Sequence, residues 1–306
     1  MIRRHVLNPE IMELIQTNLP GLRLRAQEPM ALHTSFRIGG PAAVFAQPDS
    51  VEALSALLAL LQGEGLTPRI LGAGTNVLAP DEGIDGVVIS TRGLVNCERC
   101  GDTGIRAQCG LSLAKLALFA QKHGLAGLEF AHGIPGTVGG GMYMNAGAYG
   151  GEMVQVAVRT RFMDLSGQIH TYEGQAQGLG YRRSAFMGMP GLVLETEFSL
   201  EPDEPEAILA RMRALMEKRR ASQPLDLPSA GSAFKRPVGG YAAALIQQSG
   251  LKGFRVGDAA ISEKHAGFAV NLGHATARQV LDLLSQVSDR VYADSGIRLE
   301  PEIRLW

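Results

Sequence analysis

The chain has almost no net charge and no long apolar run. Its formal net charge is −1, so it lacks the basic character of a nucleic-acid-binding protein. Its apolar stretches, such as 53–61, fall short of the roughly 20 residues that span a bilayer. The N-terminal segment has two arginines but no apolar core and no small-residue cleavage site behind them. We therefore expect a cytoplasmic protein with neither nucleic-acid nor membrane partners.

Cysteine is also scarce. The chain has three, Cys97, Cys100 and Cys109, and an odd number without an export signal favours free thiols. Cys97 and Cys100 form a C-x-x-C pair, but a zinc site needs a fourth ligand and the nearest histidine, His123, lies well beyond on a predicted helix. We therefore expect no metal site. The two thiols should be exposed beside a hairpin turn at 101–104, with Cys109 packed inward.

Glycine, in contrast, is abundant, with 38 residues in a chain of 306, and it is densest between Gly127 and Glu152. Each glycine costs conformational entropy on folding, and close approach of the backbone to a ligand would compensate. Free N–H groups in such a segment form a concavity suited to phosphate. Pro135 predicts a tight turn, and Thr137 a cap for a helix beginning at Val138. A flexible loop is the alternative, but the segment is too apolar for a solvated linker.

A second glycine turn spans residues 72–76, directly after a predicted strand at 67–71. It lacks the third glycine of the dinucleotide-binding fingerprint, and no clear helix follows it. A Rossmann fold is therefore disfavoured. What the turn offers is a set of N–H, hydroxyl and amide donors. Together the two glycine segments predict a cradle for a ligand that carries a diphosphate.

The rest of the chain alternates between helical and extended patterns. We predict helices over Pro9–Leu19, Val51–Glu64, Leu113–His123, Glu206–Arg220, Tyr241–Ser249 and Ala277–Ser295. We predict strands near 22–25, 67–71, 86–90, 104–109, 154–164, 168–172, 192–200 and 297–306, and a hairpin over 36–45 that turns at 39–41. A linker composition at 201–205 marks a boundary. This pattern is typical of an α+β architecture.

Several motifs, in this order, resemble those of the UDP-N-acetylenolpyruvoylglucosamine reductases. They are TSFRIGGPA, LGAGTNVL, GIPGTVGGGMYMNAGAYGGE, GYRRSAF, SAGSAFKRP, SEKHAGFAVN and LEPEIR, and they extend from about Thr34 to Arg304. The resemblance implies a two-lobed FAD-binding domain of the vanillyl-alcohol-oxidase (PCMH) type at 1–203, with lobes at about 1–78 and 79–203. It also implies a smaller α+β domain for the UDP-sugar at 204–306, whose C-terminal strand returns to the active site. The compact region after Tyr241 resembles the type without a substrate-capping tyrosine loop. His33 and His132 depart from the family's usual residues.

The resemblance also implies a reaction and its residues. NADPH would reduce bound, non-covalent FAD, which would then reduce the enolpyruvyl group of the UDP-sugar in peptidoglycan precursor synthesis. Ser232 matches the proton donor, and Glu302 the glutamate that polarises the substrate carboxylate. Arg182 matches the arginine that pairs with the same carboxylate, for which a planar guanidinium is suited. Glu300, two residues from Glu302, would share its face on a strand, so the pattern alone leaves the choice between them open.

The remaining assignments concern binding. We expect FAD to contact residues in both glycine segments: Gly72, Gly74, Thr75, Asn76, Gly133, Ile134, Pro135, Gly136, Thr137, Gly139, Gly140, Asn145, Ala146 and Gly147. We expect the UDP-sugar to contact Tyr181, Lys235, Tyr241, Gln247, His265 and Asn271. We expect the protein to be a monomer whose partners are these small molecules.

Two other functions are weighed against the reductase. A flavin oxidase of the same superfamily is less favoured because no histidine or cysteine motif for covalent flavin attachment is evident. A nucleotide-sugar sensor without activity is disfavoured because Ser232, Arg182 and Glu302 are all present.

Overall fold

The computed structural model describes residues 8–306, which form two compact units. The first comprises residues 8–28, Ala42–Ala73 and Asp85–Glu217, and the second comprises Pro29–Pro41, Gly74–Ile84 and Lys218–Trp306. The segment 1–7, on which part of the N-terminal prediction rests, lies outside the described residues. Among residues 8–306, no helix has the length and apolar character needed to cross a membrane.

The helices begin close to where capping residues predict. They are α1 (Asn8–Asn18), α2 (Val51–Gly63), α3 (Leu113–Lys122), α4 (Glu129–His132), α5 (Val138–Met144), α6 (Pro205–Ser222), α7 (Ala242–Gln248) and α8 (Ala277–Ser295). Ser50 and Ser112 cap α2 and α3 by accepting a hydrogen bond from the backbone three residues ahead. Thr276 and Gln279 form a reciprocal capping box at α8.

The strands are mostly short. They are β1 (Arg23–Pro29), β2 (Pro41–Gln47), β3 (Arg69–Leu71), β4 (Val77–Leu78), β5 (Ile84–Ser90), β6 (Cys97–Cys100), β7 (Gly104–Gln108), β8 (Leu125–Ala126), β9 (Gly147–Ala148), β10 (Gly151–Glu152), β11 (Ala157–Asp164), β12 (Ile169–Glu173), β13 (Gly191–Ser199), β14 (Glu201–Pro202), β15 (Ser229–Ser232), β16 (Arg255–Val256), β17 (Ala259–Ile261), β18 (Phe268–Asn271) and β19 (Arg304–Leu305).

The first unit contains two larger sheets. One has the order β1-β2-β5-β3, with β3 parallel to β5, and the other has the order β12-β11-β13-β7-β6 and is antiparallel. The leucines of α2 lie in one core together with buried residues of β2 and β5. A second core joins α3 and α5 to the five-stranded sheet. The glycine-rich segment contains α4, α5, β9 and β10 of this unit.

The second unit is built on an antiparallel sheet of order β15-β18-β17-β16. Its core is lined by the apolar face of α8, which buries Val280, Leu283, Leu284, Val287 and Val291. The C-terminal β19 pairs in parallel with β4. That pairing brings the last residues of the chain beside the segment that follows the second glycine turn.

The predicted hairpin over 36–45 is wrong, because only its second half is a strand. Residues before β2 form turns, in which Thr34 Oγ1 hydrogen-bonds to the carbonyl of Ile38 at 2.9 Å and Arg37 has a φ of 55°. Phe36 and Ile38 are buried because they pack into the core of the second unit. The alternation of Phe36 and Ile38 therefore reflects a turn that packs into this core, and not a strand.

The change of unit also falls elsewhere than the linker composition suggested. The last segment of the first unit ends at Glu217, within α6, and 29–41 and 74–84 pack with the second unit. Segments distant in sequence thus belong to one compact unit through their packing. The assignment of FAD to 1–203 and of the UDP-sugar to 204–306 stays a prediction.

Candidate active site

The glycine-rich segment of the first unit is anchored at the start of α5. The N–H groups of Val138 and Gly139 donate to the carbonyls of Leu111 and Cys109 at 2.8 and 2.9 Å. Thr137 is the N-cap, and its Oγ1 accepts from Gly140 N at 3.4 Å. The N–H groups of Gly136 and Thr137 make no hydrogen bond within residues 8–306. Two neighbouring free donors are suited to an anionic oxygen.

Three glycines of this segment are required by packing. A Cβ on Gly139 would lie 2.8 Å from Cys109 Cβ, one on Gly147 would lie 2.6 Å from Glu152 Cγ, and one on Gly151 would lie 2.4 Å from Phe130 Cδ1. Gly140 is different, because a Cβ there would meet only Thr137 Oγ1, at 3.6 Å. At these three positions glycine makes room for protein atoms, so its presence there does not by itself indicate a ligand. The free N–H groups carry that indication instead.

Gly72 belongs to the first unit and lies against the same anchor. A Cβ on Gly72 would lie 2.6 Å from Thr137 Oγ1, so the end of β3 and the N-cap of α5 approach closely. Two segments that are 65 positions apart in the sequence, both predicted to hold FAD, are therefore neighbours in one unit.

Residues 74–76 of the second glycine turn lie in the other unit, where Gly74 is closely packed. Gly74 has a φ of +67°, and a Cβ there would lie 2.0 Å from the carbonyl oxygen of His33. Ser35 N donates to the carbonyl of Gly74 at 3.0 Å, and Ser35 Oγ donates to the carbonyl of Ser229 at 2.6 Å. Sequence reasoning missed Ser35 and Ser229, because their partners are distant in the chain.

Ser232 ends β15, and the C-terminal segment runs beside it. Gly231 has a φ of +82°, and Ser232 Oγ makes no hydrogen bond within the described chain. Glu302 N donates to the carbonyl of Ala233 at 2.9 Å, and Asn76 Nδ2 donates to the carbonyl of Glu302 at 3.2 Å. Ser232, Asn76 and Glu302 are therefore brought together within the second unit.

The two candidate glutamates have different environments. Glu302 is 9% exposed, whereas the side chain of Glu300 is 70% exposed and forms an ion pair with Lys235. The expectation that they share a face is therefore wrong, because the chain around Pro301 makes only an isolated bridge with Phe234 and is not a regular strand. Burial beside the Ser232 strand distinguishes Glu302 as the candidate.

Arg182 lies at the tip of a tight turn in the first unit. Gly180 and Arg183 close the turn with two reciprocal backbone hydrogen bonds of 3.0 Å. Arg182 has a φ of +50°, a left-handed conformation that costs about 1–2 kcal/mol for a residue with a Cβ. Its guanidinium lies 5.1 Å from the centroid of the Tyr181 ring. Strain of this kind is common at functional sites.

Asn145 is buried, and its side chain is occupied by the protein. Nδ2 donates to Glu152 Oε2 and to the carbonyl of Gly180, both at 3.0 Å, and Oδ1 accepts from Val154 N at 2.9 Å. Only 1% of the residue is exposed. The prediction that Asn145 contacts FAD is therefore corrected as regards its side chain, which has no remaining donor.

The predicted UDP-sugar contacts differ in their availability. Asn271 is buried, with Nδ2 donating to the carbonyl of Phe36 and Oδ1 accepting from Gly273 N and Ala275 N. Its amide is thus largely used within the protein, and its contact with the UDP-sugar stays a prediction. Gln247 and Tyr241 are exposed, and the Arg236 guanidinium lies over the Tyr241 ring. Burial lowers the pKa of His265, whose Nδ1 accepts from Gly267 N.

The cysteines are free thiols in the described chain. Cys109 is buried as predicted, whereas Cys97 and Cys100 are half-buried and not exposed. Burial raises the pKa of Cys97 to about 11 and that of Cys109 to about 12, which disfavours the reactive thiolate. Within residues 8–306, no group of three or more His, Cys, Asp or Glu side chains could hold a metal ion.

The residues of the glycine segment fit a diphosphate-bearing cofactor such as FAD. The free N–H groups of Gly136 and Thr137 can bind phosphate oxygens, and the space beside Gly140 lets a ligand approach the backbone. The nearby core of the first unit supplies an apolar surrounding through Ile134 and Ala146, which pack at its edge.

Comparisons with known proteins identify relatives along nearly the whole chain. An FAD-binding-domain model matches residues 42–173, and a model of the C-terminal domain of UDP-N-acetylenolpyruvoylglucosamine reductase matches residues 223–306. UDP-N-acetylenolpyruvoylglucosamine reductase 2 of Symbiobacterium thermophilum is 45% identical, covering 94% of this chain and 93% of its own. The corresponding reductase of Clostridioides difficile is 42% identical over 92% of this chain and 93% of its own. The crystal structure of the reductase from Thermus caldophilus superposes with a TM-score of 0.79 at 35% identity, over 93% of this chain and 99% of that one.

Proposed function

Since the chain belongs to the UDP-N-acetylenolpyruvoylglucosamine reductase family, we propose that it reduces UDP-N-acetylglucosamine enolpyruvate to UDP-N-acetylmuramate. NADPH is the reductant, and the reaction is a step of peptidoglycan precursor synthesis. The observation that carries this proposal is the 45% identity to a reductase over 94% of this chain. The enzyme is an FAD-dependent oxidoreductase of the PCMH type, and FAD when bound supplies the hydride chemistry that side chains cannot.

We assign the proton transfer to Ser232. The enolpyruvyl double bond needs a hydride at its terminal carbon and a proton at the adjacent carbon. Ser232 Oγ carries a transferable proton and is not engaged by another group of the described chain, and Gly231 allows the backbone to bring it close to a flat ligand. A hydroxyl is a weak acid, so its surroundings must favour the transfer.

Glu302 and Arg182 are assigned to the substrate carboxylate. As the double bond is reduced, negative charge moves toward this carboxylate. A protonated Glu302 can donate a hydrogen bond to it, and Glu302 is buried beside the strand that carries Ser232. Arg182 can bind the same carboxylate with two parallel N–H donors. Stabilising charge that develops during the reaction lowers the barrier.

FAD and the UDP-sugar are assigned to different parts of the chain. We propose that FAD is held within the domain 1–203 by the backbone of 133–140 and 146–147, by Gly72 and by the 74–76 turn. The UDP-sugar is assigned to the domain 204–306 and to Tyr181. Its proposed contacts in that domain are Lys235, Tyr241, Gln247, His265 and Asn271. Because NADPH and UDP-sugars are cytoplasmic metabolites, we propose that the enzyme acts in the cytoplasm. We also propose that it is a monomer.

Anaerobic spectroscopy tests the function. Purified protein should show flavin absorbance that bleaches with NADPH and returns when the enolpyruvyl UDP-sugar is added. Ser232→Ala should leave the bleaching within about twofold and slow the recovery at least a hundredfold, while the exposed Ser285→Ala on α8 should change neither. Flavin that recovers only with air would favour an oxidase. Equal losses in both half-reactions would show that Ser232 is not the proton donor.

A further inference from the structure

We propose that Asn145 is a positioning residue whose side-chain amide holds the turn that carries Arg182. This inference rests on the proposed role of Arg182 at the substrate carboxylate, and it assigns Asn145 a role away from the cofactor. Asn145 lies at the C-terminal end of the glycine-rich α5, 35 positions before Gly180.

The hydrogen bonds of Asn145 define which way its amide points. Its nitrogen faces two acceptors, Glu152 Oε2 and the carbonyl of Gly180, and its oxygen faces the N–H of Val154. The opposite orientation would place an oxygen against a carboxylate and a carbonyl. Both N–H donors of the amide are therefore used, one for the hairpin of β9 and β10 and one for the Arg182 turn.

Asparagine satisfies two requirements at this position. Its φ of +44° is left-handed and ends α5, a conformation that glycine and asparagine adopt most readily. Glycine would meet this backbone requirement but has no amide. Aspartate would keep the shape, but its carboxylate would face Glu152 and the carbonyl of Gly180. The side-chain hydrogen bonds can therefore be separated experimentally from the backbone conformation.

The Arg182 turn needs external support. Arg182 is itself left-handed, so an unsupported turn would relax. The backbone bonds between Gly180 and Arg183 close the turn, but they do not attach it to the rest of the unit. Its attachments include the Asn145 amide and Ser184 Oγ, which donates to the carbonyl of Tyr143 at 2.8 Å. These two lead to the end of α5, while Ala185 N donates to the carbonyl of Gln177 at 2.9 Å.

The position of Arg182 is therefore coupled to the C-terminal end of α5, while the free N–H groups of Gly136 and Thr137 lie at its other end. Loss of the Asn145 amide should displace the guanidinium and leave the phosphate-binding backbone intact. The two half-reactions should then respond differently, because only the second involves the substrate carboxylate.

The test uses the FAD-loaded wild type, Asn145→Gly, Arg182→Ala and the double variant in anaerobic stopped flow. Asn145→Gly should bind FAD and be reduced by NADPH within about twofold of wild type, and its reoxidation by the enolpyruvyl UDP-sugar should be at least tenfold slower. In the Arg182→Ala background the same change should slow reoxidation by less than twofold. The control is Gln155→Ala, which removes two hydrogen bonds of the same hairpin and none to Gly180; it should stay within twofold of wild type.

Additive slowing in the double variant, or an equal loss in flavin reduction, would overturn the inference. If Asn145→Gly does not fold, Asn145→Asp replaces it, and wild-type reoxidation by that variant would refute the role. Hydrogen exchange provides a readout that is independent of the reaction. The Arg183 amide should exchange at least tenfold faster in Asn145→Gly than in the wild type, and at the wild-type rate in Gln155→Ala. A wild type that the sugar never reoxidises would refute the proposed function, and the exchange result would still decide whether Asn145 holds the turn.

Discussion

Replacing Gly74 by alanine should be among the most damaging small changes in the second unit. Its φ of +67° is left-handed, and an added Cβ would lie 2.0 Å from the carbonyl oxygen of His33 and 3.0 Å from Thr34 Cα. Left-handed strain costs about 1–2 kcal/mol, and overpacking against backbone costs about 1–3 kcal/mol. The expected loss of unfolding free energy is therefore about 2–5 kcal/mol, a large part of a typical domain's stability.

Gly250 provides the matched control in the same unit. Its φ of +68° is nearly the same, but a Cβ there would meet nothing within 4 Å. Gly250→Ala should therefore lose only the strain of about 1–2 kcal/mol. The difference between the two variants isolates the clash with His33.

Urea unfolding followed by tryptophan fluorescence measures both variants. Trp306 is the single tryptophan of the chain and lies in the second unit, so its signal reports on the unit that contains both glycines. Equal losses of unfolding free energy for Gly74→Ala and Gly250→Ala would refute the reasoning, since the 33–35 segment would then move aside without destabilising the protein. FAD affinity, measured in parallel, should fall only for Gly74→Ala, because the 74–76 turn, which we propose as an FAD contact, would have to move.

Three further changes test separate contacts. Burial lowers the pKa of His265 from its usual 6.5, so on acidification the unfolded chain binds a proton at this residue before the folded chain does. The wild type should therefore lose stability relative to His265→Gln as the pH falls below about 6.5, and not at higher pH. Urea unfolding measured at several pH values tests this. Thr137→Ala removes the acceptor for Gly140 N and should cost about 0.5–2 kcal/mol, while Thr137→Ser should restore most of it in thermal unfolding. A double-mutant cycle on Lys235 and Glu300 should give a coupling of at most about 1 kcal/mol that vanishes in about 1 M salt.

Local features of this chain could be predicted well because their causes are local. The N-cap hydroxyls of Ser50, Ser112 and Thr276 define where α2, α3 and α8 begin, and each acts on a backbone group three residues ahead. The family motifs also identify Ser232, Arg182 and Glu302 as candidates, because short runs around each of them match those of the reductases.

Other features depended on partners far away in the sequence. The pattern alone could not separate Glu300 from Glu302, since the difference is burial beside β15. It also could not show that the glycines at 139, 147 and 151 make room for Cys109, Glu152 and Phe130.

The sequence by itself determined the family, the positions of most helices and the residue types available for chemistry, because these depend on near neighbours and on motif order. Only the tertiary structure decided which of those residues are free to act. Asn145 and Asn271 lie in motifs that predict ligand binding. The amide of each nevertheless donates to a backbone carbonyl, 35 positions away for Asn145 and 235 positions away for Asn271. A buried polar group must find its partner wherever the fold places one, and no local pattern specifies that place.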